Sequence, residues 1–258
     1  MRLMKRILSA AAVLALSASL LVGCSSGTAS SVPVSASSAA ESTVSSVEET
    51  ASSAVDENEA AAAQLLNDLT GSYQELWPVI LADEYKQTWL DDCTAIVGEE
   101  NAEAAFEKLS SMVTSDVYGE DAVEAYANGG GAYFCGFTNS LATLTFDGET
   151  STISGTDKDG NVLFSHTYHY IGMEPVHGLY EFESDDADSG EFTYFFLAPD
   201  TSAETYHIEF RYGSDAEALS QYDAGEYAYW VASGISTDCD QTMIDNCIEL
   251  FCTENLAG

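Results

Sequence analysis

The chain has 258 residues, 43 of them acidic and 7 basic, for a net charge of −36 at neutral pH. Past residue 24 the imbalance deepens, with four basic residues facing all 43 acidic ones, a net of −39. That field repels phosphates and gathers cations, so it argues against a nucleic-acid partner and favours a cationic ligand.

Arg2, Lys5 and Arg6 form a basic start, followed by the apolar run ILSAAAVLALSASLLVG and then Cys24. Charge, apolar length, small residue and cysteine in this order look like the lipobox of bacterial lipoproteins. Residues 1–23 are therefore expected to be a signal peptide, excluded from fold reasoning. Cys24 is expected to carry the lipid, tethering the chain to the extracytoplasmic face of the cell membrane without spanning it. Residues 24–62 are mostly Ser, Ala, Thr, Val and Glu, with no aromatic side chain. Such a stretch buries too little surface to offset its ordering entropy, and reads as a flexible linker. Residues 63–258 remain as one domain.

Residues 57–69 are strong helix formers up to the break at Gly71. Tyr85, Trp89, Cys93 and Ile96 repeat at helical spacing across 84–97, as do Ala102, Phe106, Leu109 and Val113 across 100–113. EDAVEAYAN (120–128) reads as a short helix ended by Asn128 and three glycines. The pattern then turns to strands: 140–146, 151–156, 161–171, 178–184, 192–199 and 204–212. Asp-Gly turns and acidic turns join them, the signature of an antiparallel meander or small barrel. Residues 214–222, 228–233 and 241–252 read as helical again. The expected class is α+β, a closed or nearly closed antiparallel barrel flanked by helices.

Five cysteines follow Cys24, namely Cys93, Cys135, Cys239, Cys247 and Cys252. Five is odd, so at least one thiol stays free or pairs between chains, and no zinc-type CxxC spacing occurs. The Asp-rich stretches at 157–161 and 185–190 lack the spacing of a calcium loop and read as solvated turns. No nucleophile elbow or glycine-rich phosphate loop is present, and no enzymatic activity is expected.

In ETYHIEFRYGSD (204–215), His207, Glu209 and Arg211 alternate with Ile208, Phe210 and Tyr212. A strand with that alternation has one polar face and one apolar face. LTGSYQELWPVIL (69–81), GLYEFES followed by FTYFFLAP, and HIEFRYGSD (207–215) together resemble the ZinT family, also called YodA, whose domain is fused in AdcA-type zinc-binding lipoproteins. The first matches the family's Asp-Gly, aromatic, Gln-Ser, aromatic-Pro pattern. The second is similar to its RYLFE and its strand ending in Ala-Pro, and the third aligns without gaps on HFHIFMGND.

The resemblance implies a lipocalin-like (calycin) barrel and an extracytoplasmic Zn2+ site built from three histidines on adjacent strands, with a metal ABC importer as a possible partner. His207 falls on one of those histidines, Glu209 on the second and Phe195 on the third. A third ligand must then come from elsewhere. If polar faces line the cavity, His169, in line with Ser165 and Thr167, is the first choice. His166 is the second and His177, in a loop, the third. The competing expectation is a lipocalin-like binder of a small organic ligand with a degenerate metal site.

Overall fold

The computed structural model of the chain describes residues 57–198 and 207–256. The expected signal peptide, Cys24 and the expected linker as far as residue 56 lie outside them, as do residues 199–206 and the last two. Among the described residues no helix is long and apolar enough to cross a membrane.

Eight strands pair antiparallel, each with its neighbour in the chain, and the last closes on the first. They are β1 (Gly71–Glu75), β2 (Thr143–Asp147), β3 (Thr152–Thr156), β4 (Val162–Met173), β5 (Tyr180–Ser184), β6 (Tyr194–Leu197), β7 (His207–Gly213) and β8 (Ala232–Ser236). Closure leaves no open sheet edge, and eight up-and-down strands are the lipocalin arrangement. The expected lipocalin-like α+β class is what the chain adopts.

Cross-strand partners share a face of the sheet, so the register sorts inside from outside. Phe182 faces Phe195 and Phe195 faces Tyr212. The Phe195 ring also meets Phe164 (5.9 Å) and Tyr168 (5.4 Å) on β4, which is not its neighbouring strand. Rings from alternate strands converge only on the concave side, so this face is the lumen. Phe146, Ile153, Phe164, Tyr168, Phe210 and Tyr212 complete it, all buried. An eight-stranded barrel of this kind is just wide enough to be filled by its own side chains.

Helix α1 covers residues 57–68, and β1 follows it directly. Between β1 and β2 lie α2 (Leu76–Ile80), α3 (Lys86–Val97), α4 (Ala102–Ser111) and α5 (Glu120–Ala127). A single turn, α6 (Ala216–Leu219), follows β7, and α7 (Gln241–Leu256) follows β8. Asp240 starts α7 by accepting a hydrogen bond from the N–H of Met243 at 3.0 Å. The stripe Ile244, Cys247, Ile248, Phe251 and Cys252 is buried. Phe251 packs against Trp77 of α2 (4.8 Å) and Trp89 of α3 (5.9 Å), and the Trp89 indole N–H donates to the Ile80 carbonyl at 2.7 Å. Helices α2, α3 and α7 thus form one apolar layer on the outside of the barrel.

Three expectations need correction. Residues 228–233 are not helical. Tyr229 has φ +57°, which no right-handed helix accommodates, and the chain enters β8 at Ala232. Of 214–222 only one turn is helical. Strand β1 was hidden in GSYQE, which lacks β-branched residues and looks like a helix break.

Candidate functional site

All seven residues of β7 are buried, so both of its faces are covered. Ile208, Phe210 and Tyr212 enter the lumen. His207, Glu209 and Arg211 point the other way, onto the outer wall. His207 is 6 % exposed and Glu209 4 %. Their cover is α2, through Leu76, Trp77 and Ile80, and α7, through Cys247, Phe251 and Glu254; with His207 and Glu209 these line one pocket of about 20 Å³. A space of that size holds about one water-sized species. Burial pushes the Cys247 thiol up to about 12, so it stays protonated at neutral pH unless a cation displaces the proton.

His207 and Glu209 are alternate residues of one strand, so their side chains stand side by side on one face. Cys247 and Glu254 are seven residues apart on α7, about 10 Å along its axis. Among the described residues no group of three or more His, Cys, Asp or Glu side chains is arranged to hold a metal.

Arg211 does a different job. Its guanidinium, fully buried, donates to the carbonyls of Leu219, Gln221 and Tyr227 and lies 4.2 Å above the ring of Tyr222. It fastens the 219–227 segment over the outer face of β7.

The other histidines do not join His207 as the sequence suggested. His169 lies on the outside of β4, about half exposed, with Nδ1 2.7 Å from Asp185 and Nε2 4.0 Å from Glu183. The premise that polar faces line the cavity is reversed: the filled lumen takes the apolar face, and the polar face of β4 goes to water. His166 is the one on the inner face, level with Ile153. Its ring stacks on Phe164 at 5.9 Å and its Nδ1 lies 2.7 Å from Asp186. His177, ranked last, is the buried one. It packs on Tyr222 at 3.7 Å, with Nδ1 3.4 Å from the carboxylate of Glu174, so it shares with Arg211 the ring that covers β7. Phe195 faces the lumen, opposite in sense to His207 and Glu209.

No family model matches the chain, and no curated protein does. Among solved structures it is similar to the Zn(II)-bound ZinT-like domain of Streptococcus pneumoniae AdcA, with 15 % identity and a TM-score of 0.45 over 71 % of this chain and 89 % of that one. It is also similar to Zn(II)-bound AdcA from the same organism, with 13 % identity and a TM-score of 0.42 over 72 % of this chain. The match covers 35 % of that longer protein.

Nothing in the sequence singles out Cys247 and Glu254 as site residues. Cys247 stands in the apolar stripe of α7, and Glu254 lies two turns further along the same face. Their place in the site is fixed only by docking α7 on β7. Trp77 was likewise visible only as part of LTGSYQELWPVIL. It also walls a second, more open cleft of about 340 Å³, lined by Glu75, Leu81, Val113, Phe134 and Cys135 among others.

Proposed function

We propose that the chain is a lipid-anchored extracytoplasmic protein that captures a divalent cation, zinc by preference, and buffers it or hands it to a metal importer. One observation carries this reading: a pocket with room for about one ion encloses an imidazole and a carboxylate from β7, with a second carboxylate and a thiol in its lining. Nitrogen, oxygen and sulfur donors of this mixture suit zinc better than calcium or magnesium. In this reading His207 and Glu209 hold the ion from the strand, and α7 brings Glu254 or Cys247 as a third donor. The net negative charge raises the local cation concentration.

The test is calorimetry on metal-stripped residues 25–258. Zinc should bind at one site with a dissociation constant below about 10 μM, or roughly 7 kcal/mol. His207→Ala should weaken it by at least about 100-fold, since even the loss of an outer hydrogen-bond partner of a ligand costs 10–100-fold. His169→Ala should leave it unchanged. Weaker wild-type binding, or equal loss in both variants, would sink the proposal.

A second reading, a binder of a small organic ligand, no longer has the lumen, which rings fill. The cleft beside Trp77 favours it, because about 340 Å³ lies within the range of ligand sites. Such a ligand would be retained as an adduct in native mass spectrometry by wild type and His207→Ala alike.

A further inference from the structure

Cys93 of α3 and Cys252 of α7 meet sulfur to sulfur at 3.8 Å, both with no solvent exposure. They lie 159 positions apart in the chain, and the helices that carry them belong to the layer covering β7. One turn before Cys93, Trp89 packs on Phe251, the residue next to Cys252. The thiols are thus held opposite one another from both sides. A disulfide needs its sulfurs at about 2.05 Å, so closing the bond requires a further approach of about 1.8 Å, within reach of side-chain rotation and a small helix shift.

We propose that Cys93 and Cys252 are a disulfide-forming pair that staples α7 onto α3. The oxidant is a disulfide, either a small oxidised thiol or the disulfide of a thiol oxidase. The Cys93 thiolate attacks one sulfur of that donor, forming a mixed disulfide and releasing one donor thiol. The Cys252 thiolate then attacks the Cys93 sulfur, forming the intramolecular bond and releasing the second donor thiol. Two protein thiols lose two electrons and two protons, and one donor disulfide becomes two thiols. Because both sulfurs are buried, exchange takes place before α7 docks or while it is lifted.

The five positions from Cys247 to Cys252 turn about 140° around a helix, so the two cysteines serve different faces. Cys252 faces α3, and Cys247 faces the pocket with Phe251 and Glu254. A bond at Cys252 therefore fixes the wall that bears those groups. Only the part of that wall in holding a cation rests on the function proposed above. The bond and the pinning of α7 do not.

The test maps thiols in the full chain refolded with oxidised glutathione, by alkylation under denaturing conditions and peptide mass spectrometry. The expected product is a linked peptide pair containing Cys93 and Cys252, with the remaining cysteines alkylated. Recovery of both as free thiols, or linkage of either to another cysteine, overturns the assignment. The rate at which iodoacetamide reaches Cys247 in the native protein then reports the opening of α7. It should be several-fold slower in the oxidised chain than in the reduced chain and in Cys93→Ala. Equal rates overturn the stapling. Neither readout uses a metal, so a chain that closes the bond yet binds no zinc refutes the cation site alone.

Discussion

Replacing Arg211 by lysine and by methionine probes how the outer face of β7 is covered. The native guanidinium is fully buried and donates four hydrogen bonds to three carbonyls, those of Leu219, Gln221 and Tyr227. Burial lowers its pKa, but the fork of donors and the Tyr222 ring hold it in place. Methionine fills much of the volume and leaves the buried carbonyls of Leu219 and Tyr227, and the half-buried one of Gln221, without these donors. At about 1–3 kcal/mol each, with some relaxation of the loop, the loss should be about 3–5 kcal/mol. Lysine keeps the charge, but its point-like ammonium cannot span carbonyls arranged for a planar fork, so about 2 kcal/mol is expected. Urea unfolding at pH 7 reads this directly. With a slope of about 2 kcal/mol per molar, the midpoint should fall by about 1 M for lysine and about 2 M for methionine. The reasoning fails if methionine is as stable as wild type, because the guanidinium would then not be what fastens the 219–227 segment.

Two further outcomes follow from the same geometry. Phe195→His, which restores the histidine implied by the family resemblance, should cost about 3 kcal/mol by placing an imidazole among the lumen rings. It should add nothing to zinc affinity, because that position faces away from His207; urea unfolding and calorimetry check both parts. At Glu174, burial pushes the carboxyl up, but the His177 ring 3.4 Å away and hydrogen bonds from the N–H groups of His177 and Val176 outweigh it and hold the pKa below the usual 4.5. A depressed folded-state value contributes stability above the unfolded value, which is lost as pH falls through the folded one. Glu174→Gln should therefore be less stable at pH 7 and flatten the decline below about pH 4.5, measured by urea midpoints from pH 3 to 7.

Most strands were legible because a half-buried strand must alternate, and Asp-Gly turns punctuate the alternation at Gly148 and Gly160. What the sequence could not give was the sense of the alternation. In NVLFSHTYHYI either face can be read as inner, since tyrosine and histidine sit in both categories. The deciding fact is non-local: Phe195, Phe210 and Tyr212 already fill the lumen, so the face with Phe164 and Tyr168 joins them and His169 is left outside. The same limit applied to His207 and Glu209. Their pairing on one face was readable at i, i+2, but their enclosure depends on α7, more than thirty residues downstream. The helical reading of 228–233 fails because a short apolar run fits either period, and nothing local marks the left-handed conformation at Tyr229, whose ring stacks on the distant Tyr126 at 3.7 Å.

The position of the candidate site follows from how the barrel is closed. A small barrel packed with aromatic rings has no interior for a ligand, so an enclosed pocket can form only where something covers the wall from outside. That cover requires an apolar layer, supplied by Trp77, Trp89 and the buried stripe of α7. It also requires a strand that tolerates burial on both faces, which is β7. An outward-facing polar pair on any uncovered strand would be solvated, as His169 and Asp185 are on the β4 side. On β7 the same alternation brings an imidazole and a carboxylate out of water, where a cation interacts with them more strongly than at an exposed surface. The polar residues of β7 then divide by what lies above them: Arg211 meets carbonyls and secures the cover, while His207 and Glu209 meet the space that the cover leaves.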